Sequence, residues 1–303
     1  MDRKGFLASA GAAMGLAAVG LRPGQAAEMS EDELRKLGKT DLKIALQPGL
    51  FKLSVLEAID KIAYYGFPAV ESLRASGDLD AIRKKLDETG VAWSCIGGVG
   101  SIGRPEKWEE GLGLSKEEEH DQVEKQFRAV VETAKKLNIK RILALTGQRR
   151  KDISAEQQTE IVVKGLKRLG PIAEQAGVTI VLEILNNLVN HPGYFLVYTA
   201  QGVEMMKAVG HPNVKLLYDI YHQQISEGNL INNIKNNIQY IGHFHIGDNP
   251  GRQYPGTGEI NYKNVFKAVY DAKYDGYLAM ECGYGNKTPL EIMKIMHDLT
   301  TFA

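Results

Sequence analysis

The chain has 303 residues, of which 24% are charged and 44% are hydrophobic, so it can bury a large core and is not of the disordered class. Lysine and arginine together number 37, and aspartate and glutamate also number 37, so the formal net charge is zero. This balance, without long runs of one charge sign, argues against a nucleic-acid-binding protein.

The first 27 residues have the layout of a secretory signal peptide. Arg3 and Lys4 precede an uncharged, Ala- and Gly-rich stretch over 5–21, and small residues at 24–26 suit cleavage. Lys4 stands where a twin-arginine signal carries its second Arg, so only a weak Tat-like signal is present and the Sec route stays open. We expect export to the periplasm, with a poorly packed N-terminus as the alternative. After signal removal we expect no stable membrane insertion, because no later segment is long and apolar enough.

From residue 40 onward, short β-rich runs alternate with helix-like segments, which predicts parallel strands joined by crossover helices. The predicted strands are 42–47, 68–72, 91–97, 141–146, 179–183, 214–219, 241–245 and 277–281. The predicted helices are 55–65, 79–89, 116–137, 155–175, 199–209, 230–236, 262–272 and 289–299. These units predict one (β/α)8 TIM-barrel domain over 28–303. Cys95 and Cys282 do not form a disulfide framework, and we expect free thiols.

Four potential metal ligands end the last four predicted strands: Glu183, Asp219, His245 and Glu281. They are separated by 36, 26 and 36 residues, close to the roughly 30 residues of one βα unit. Because parallel barrel strands end at the same face, these side chains are expected to meet at one mouth. A single strand-end carboxylate usually caps a helix or pairs with arginine, but four in succession favour a shared divalent cation. Three carboxylates and one imidazole favour Mn²⁺ or Mg²⁺, with Co²⁺, Fe²⁺ or Zn²⁺ as alternatives.

Three further residues fit the same mouth. His222 follows Asp219 by three residues and is placed either over the mouth or packed on Tyr221. Arg252 lies on a Pro/Gly-rich loop, where it can neutralise a substrate carboxylate or pair with Asp248 or Glu259. His243 shares the face of its strand with His245, and we expect it one layer deeper as a buried, hydrogen-bonded group.

Three segments resemble the hydroxypyruvate isomerase family and, more broadly, the xylose isomerase-like TIM-barrel superfamily of sugar isomerases and epimerases. They read LEILNN…HPGYFL (182–196), KLLYDIYHQQISEGNL (215–230) and IGHFHIGDNPGRQYPGTGEINY (241–262). The resemblance implies aldose–ketose isomerisation of a small hydroxy-carbonyl compound through a cis-enediol. It also implies that Glu183 and Glu281 are the acid/base pair and that Asp219 and His245 complete the metal shell. By the same resemblance, His222 and Arg252 contact substrate oxygens.

The resulting hypothesis is a divalent-metal-dependent isomerase, an intramolecular oxidoreductase acting on a small sugar or sugar acid. Rival functions on the same scaffold are a sugar epimerase, a keto-inositol-type dehydratase and a non-catalytic carbohydrate-binding barrel. A phosphodiesterase of the endonuclease IV type is a further rival, but it needs several zinc ions and more ligands, and the chain has seven His in total. Barrel relatives are often dimers or tetramers, so a homo-oligomer is also expected.

Overall fold

The computed structural model describes residues 30–37, 39–100 and 111–302, and helices alternate with strands along them. The strands are β1 (Lys43–Leu46), β2 (Ala69–Val70), β3 (Ala92–Trp93), β4 (Ile96–Val99), β5 (Arg141–Ala144), β6 (Thr179–Ile184), β7 (Val214–Asp219), β8 (Ile241–Ile246) and β9 (Tyr277–Met280). The helices are α1 (Glu31–Lys36), α2 (Val55–Tyr64), α3 (Leu79–Thr89), α4 (His120–Leu137), α5 (Ala155–Ala176), α6 (Thr199–Val209), α7 (Ile220–Ser226), α8 (Leu230–Asn237), α9 (Tyr262–Asp271) and α10 (Pro289–Thr300).

All paired strands are parallel, and their order is β3-β2-β1-β9-β8-β7-β6-β5-β4. The two ends of this order, β3 and β4, are consecutive in the chain and are separated only by Ser94 and Cys95. The third barrel strand is therefore one stretch in two pieces, the first pairing with β2 and the second with β5. This stretch completes the circle and confirms the predicted (β/α)8 TIM barrel, although the single strand predicted over 91–97 is interrupted.

Local signals in the sequence fix where the helices begin and end. Ser54 and Ser154 start α2 and α5 with capping boxes, in which Glu57 and Gln157 bond back to the cap backbone. Gly90 ends α3 in the left-handed conformation with φ 72°, which costs glycine little. Asp78 caps the start of α3 in turn, so the starts predicted at residues 55, 79 and 155 are confirmed.

The strands form the buried centre of the barrel, as expected for a parallel sheet covered by helices. In each of β6, β7 and β8, one of six residues is partly exposed and the others are buried. Packing is close at Gly242 in β8, where an added Cβ would lie 2.7 Å from Lys215 Cβ and 3.0 Å from Val181 Cγ1. The C-terminal ends of these strands supply the site described below.

Cys95 is buried and Cys282 is half-buried, and both are free thiols, as predicted. The predicted signal peptide at 1–27 lies outside the described residues. Within the described ranges, none of the helices combines the length and the apolar character that a membrane span requires.

Candidate metal centre and active site

The structure brings the four predicted ligands together at the mouth of the barrel. One ligand atom each from Glu183, Asp219, His245 and Glu281 lies within 4.8 Å of all the others. Asp219 ends β7 directly beside His245 of β8 in the strand register, and the residue after β9 is Glu281. Because successive parallel strands end at one edge, residues far apart in sequence become neighbours.

Asp219 uses its two carboxylate oxygens for different purposes. Oδ1 accepts hydrogen bonds from the backbone N–H groups of Tyr221 at 2.8 Å and His222 at 3.2 Å, so it caps α7. Oδ2 remains directed toward the cluster and lies 3.1 Å from Arg252 Nη2. Asp219 therefore caps α7 with one oxygen and belongs to the cluster through the other.

His245 is fully buried and lies between three carboxylates. Its Nδ1 is 2.8 Å from Glu281 Oε2 and 3.2 Å from Glu183 Oε1. On the other side of the ring, Nε2 is 2.9 Å from Glu71 Oε1. Sequence reasoning missed Glu71, which directly follows β2; a charged residue at a strand end, the signal shared by the four predicted ligands, is present here too.

Glu71 also joins the predicted inner histidine to the site. His243 Nε2 lies 2.8 Å from Glu71 Oε2, and the Ser94 hydroxyl donates to the same oxygen. His243 is fully buried, so the expected deeper, hydrogen-bonded position is confirmed. Glu71, His243 and His245 form a second group of potential ligand atoms within 4.8 Å of one another.

His222 lies in α7 beside the cluster and is fully buried. Its Nδ1 accepts from the backbone N–H of Asn186 at 3.3 Å and is 2.5 Å from the side-chain Nδ2 of Asn186. This pairing makes Nδ1 the acceptor and places the proton on Nε2, which is 3.5 Å from Asp219 Oδ2 and has no hydrogen-bond partner among the described residues. The ring also packs edge-on against Tyr221 at 5.2 Å, so both expected positions are realised.

Arg252 reaches the same carboxylates from the loop after β8. Its Nη2 is 2.7 Å from Glu281 Oε2 as well as 3.1 Å from Asp219 Oδ2, and its guanidinium carbon is 5.2 Å from the Tyr221 ring centroid. The alternative pairing with Asp248 or Glu259 is wrong.

Those two acids instead shape the loop that carries Arg252. Asp248 accepts hydrogen bonds from the backbone N–H groups of Gly256, Gly258 and Ile260. Glu259 accepts from the side chains of Asn249 and Gln224. Both oxygens of Asp248 are therefore bonded within the loop, and the guanidinium is directed toward the barrel mouth.

Burial makes the carboxylates of this cluster costly to ionise together. Burial raises the pKa of Glu183 and of Asp219, and the nearby positive charges of His245 and Arg252 offset this only in part. Burial also acts to raise the pKa of Glu281, but His245 and Arg252 outweigh it and the net pKa is lowered. Burial acts to lower the pKa of His245, yet the surrounding carboxylates raise that pKa well above its ordinary value. Without an ion, the proton on His245 and the Arg252 guanidinium compensate the carboxylates.

A single divalent cation fits this donor set. Such ions bind oxygen at about 2.0–2.6 Å, so ligands on opposite sides of an ion lie about 4–5 Å apart. The four ligand atoms all lie within 4.8 Å of one another, so one ion can contact all of them. Three carboxylate oxygens and one imidazole nitrogen suit hard or borderline ions, and the bound ion would replace the His245 proton.

Comparison with known proteins agrees with this fold. The family described as xylose isomerase-like TIM barrel matches residues 59–298. Hydroxypyruvate isomerase of Escherichia coli (strain K12) is 35% identical over 172 residues, which are 55% of this chain and 66% of the relative. The 2-oxo-tetronate isomerase of Cupriavidus necator is 31% identical over 227 residues, covering 71% of this chain and 82% of the relative.

Two solved structures share the fold. The AP endonuclease, family 2, of Brucella melitensis superposes with a TM-score of 0.70 at 25% identity, covering 82% of this chain and 95% of that chain. The D-psicose 3-epimerase of Clostridium cellulolyticum H10 with D-tagatose gives 0.67 at 22% identity, covering 85% and 91%. The matched relatives include proteins named as isomerases, which confirms the expected enzyme class at the level of the family. The chain belongs to the xylose isomerase-like TIM-barrel family.

Proposed function

We propose that this protein is a divalent-metal-dependent isomerase of the hydroxypyruvate isomerase type, acting on a small hydroxy-carbonyl sugar or sugar acid through a cis-enediol. The observation that carries the proposal is the pair of carboxylates Glu183 and Glu281, which approach His245 Nδ1 at 3.2 Å and 2.8 Å from different strands. Two carboxylates directed into one buried mouth can remove a proton from a carbon and return it to its neighbour.

The proposed site binds one ion through Glu183, Asp219, His245 and Glu281, with Mn²⁺ or Mg²⁺ favoured over Co²⁺, Fe²⁺ or Zn²⁺. When bound, the ion would polarise the substrate carbonyl and stabilise negative charge on its oxygen. One of the two glutamates takes the proton from the carbon that bears the hydroxyl group. The hydroxyl proton moves to the former carbonyl oxygen by way of the cis-enediol, and the abstracted proton is returned to the former carbonyl carbon, so the two functional groups exchange positions.

His222 and Arg252 are the proposed substrate-binding residues. The His222 Nε2–H donor has no hydrogen-bond partner among the described residues, so a substrate oxygen would supply its missing acceptor. Arg252 brings positive charge to the mouth, which suits a substrate carboxylate or a developing enediolate oxygen. Together they would hold the substrate in the geometry that proton transfer between neighbouring carbons requires.

The proposal is tested by incubating the metal-loaded protein in D₂O with hydroxypyruvate and a panel of small ketoses. Isomerisation moves the carbonyl and introduces deuterium at a substrate carbon. Epimerisation inverts one centre with deuterium uptake, and dehydration removes the mass of water. Glu281→Gln should abolish turnover, whereas Glu132→Gln, whose carboxylate pairs at the surface with Lys135, should retain it.

Absence of any deuterium uptake with the wild-type protein, or a fully active Glu281→Gln variant, would refute the acid/base assignment. Sugar binding that survives removal of metal by a chelator would instead favour a carbohydrate-binding barrel. Tight DNA binding at moderate salt would favour the endonuclease alternative.

We also propose that residues 1–27 direct export to the periplasm and are removed, leaving a single domain over 28–303. The basic start, the apolar stretch and the small residues at 24–26 support this. N-terminal sequencing of the protein recovered from the periplasm is the test, and an intact Met1 in a cytoplasmic fraction would contradict it. Size-exclusion chromatography with light scattering of the same material tests the expected homo-oligomer.

A further inference from the structure

Glu71 is a buried acid for which the proposed reaction has no direct use. Its side chain is 2% exposed, and both of its oxygens are engaged. Oε1 faces His245 Nε2 at 2.9 Å, while Oε2 faces His243 Nε2 at 2.8 Å and accepts from the Ser94 hydroxyl. A buried carboxylate has a high free-energy cost unless it is paired with positive charge and hydrogen-bonded.

The Glu71 contact determines which nitrogen of His245 carries the proton. An ionised carboxylate can only accept hydrogen bonds, so it favours Nε2–H on the ring that faces it. The lone pair of the neutral ring is then on Nδ1, which faces Glu183 and Glu281 at the cluster. Those two carboxylates would hold a proton on Nδ1 and block its use as a ligand. Glu71 favours the opposite tautomer.

Glu71 could alternatively be a ligand of a second ion together with His243 and His245. In the structure each Glu71 oxygen already has a hydrogen-bond partner, because Oε1 faces His245 Nε2 at 2.9 Å and Oε2 faces His243 Nε2 at 2.8 Å. The Ser94 hydroxyl bond to the same carboxylate also fits a hydrogen-bonded network.

We infer that Glu71 is a positioning residue that acts through His245: it holds the proton on Nε2 so that Nδ1 is available as a metal ligand. This inference rests on the metal site of the proposed function, but not on the identity of the substrate. Carboxylates that orient a ligating histidine in this way typically contribute 10–100-fold to metal affinity.

The first experiment is a titration of the full chain with Mn²⁺ or Co²⁺ alone. Glu71→Gln keeps the side-chain shape but removes the charge and one acceptor, and it should weaken ion binding about 10–100-fold. Ser94→Ala is the matched control, because Ser94 contacts Oε2 and not the oxygen that faces His245. Ser94→Ala should bind the ion as the wild type does.

A second readout needs no variant. In protein labelled with ¹⁵N at its seven histidines and loaded with diamagnetic Zn²⁺, long-range ¹H–¹⁵N correlation reports which ring nitrogen is protonated. We expect His245 to carry its proton on Nε2, with Nδ1 bound to the ion. A His245 ring that carries its proton on Nδ1 would overturn the inference even if Glu71→Gln does not fold.

A double-mutant cycle separates positioning from general stabilisation of the core. If Glu71 acts through His245, Glu71→Gln should cause no further loss of ion affinity in a His245→Gln background. Additive losses would overturn the inference, as would wild-type affinity in Glu71→Gln. Two ions per wild-type chain, one of them lost in Glu71→Gln, would also overturn it and make Glu71 a ligand.

Failure of the inference is distinguishable from failure of the proposed function. A wild-type protein that binds the ion and exchanges substrate deuterium, with Glu71→Gln unchanged, removes only the inference. A wild-type protein that binds no ion removes the metal site itself. A wild-type protein that binds the ion but exchanges no deuterium removes the proposed reaction and leaves the Glu71 result interpretable.

Discussion

Replacing Asp219 by asparagine should separate the two functions of this residue. Asparagine keeps one side-chain carbonyl oxygen, which can still accept from the N–H groups of Tyr221 and His222, as Oδ1 does now at 2.8 Å and 3.2 Å. It replaces Oδ2, the atom directed toward Arg252 and the cluster, with an amide NH₂ that cannot bind a cation. The helix cap should persist while the metal ligand is lost.

The expected magnitudes follow from this division. Asparagine and aspartate are about equally good N-caps, whereas loss of a cap to alanine costs about 1 kcal/mol. For a barrel of this size, 1 kcal/mol corresponds to a Tm change of about 2–4 °C. The metal-free Asp219→Ala protein should therefore melt about that much below metal-free Asp219→Asn. Both variants should lose the stabilisation that the wild type gains from bound ion, about 2.7 kcal/mol at an ion concentration of 100 times Kd.

The assay is thermal unfolding of each protein with and without Mn²⁺, supported by direct ion titration. Asp78 offers a matched control, because it caps α3 by accepting from Asp80 N and Ala81 N and is not part of the cluster. Asp78→Asn should leave both melting and ion binding close to those of the wild type. The reasoning is refuted if Asp219→Asn still binds the ion with wild-type affinity, or if it melts as low as Asp219→Ala without metal.

Three further predictions follow from the same geometry. Burial raises the pKa of Glu183, and the surrounding carboxylates raise the pKa of His245, so protons compete with the ion for these ligands. The affinity for Mn²⁺ should therefore increase between pH 5.5 and pH 8. An ion titration that shows constant affinity over this range would contradict the argument. Arg252→Met removes a positive charge beside two of the four ligands, so it should strengthen ion binding at low salt. The same change should raise KM for an anionic substrate. Weaker ion binding in this variant would contradict the charge argument. Gly242→Ala should lower the free energy of unfolding by about 1–3 kcal/mol in chemical denaturation, because the new Cβ has no room. Gly49→Ala should not, because an added Cβ there meets nothing within 4 Å. Equal effects of the two variants would contradict the close packing at Gly242.

The barrel could be predicted because its determinants are local. Strands buried on both faces form apolar runs, and α3 carries both a start signal, Asp78, and a stop signal, Gly90, so β7 and α3 begin and end where the sequence indicates. The break at Ser94 and Cys95 was not predicted. It occurs where the third strand changes from pairing with β2 to pairing with β5, which depends on closure of the whole barrel rather than on the residues themselves.

The site was predictable to the extent that strand ends determine it. Glu183, Asp219, His245 and Glu281 meet because each ends or follows a strand of one parallel sheet. Glu71 carries the same strand-end signal, but its contact with His245 and the contact of Asn186 with His222 link residues 174 and 36 positions apart, and the sequence does not specify these pairings. The partners of Arg252 were equally hidden, because they depend on how Asp248 folds its loop.

Structural and functional explanations of a strand-end residue are not exclusive in this barrel. Asp219 caps α7 with one oxygen and directs the other into the cluster. His222 packs edge-on against Tyr221, while its Nε2, which has no hydrogen-bond partner within residues 30–37, 39–100 and 111–302, lies beside the same carboxylate. A group fixed by one bond loses little entropy when it forms a second bond to an ion or substrate, so the structural contact preorganises the functional one. The informative variants are therefore those that change one atom of a side chain and leave its other contact in place.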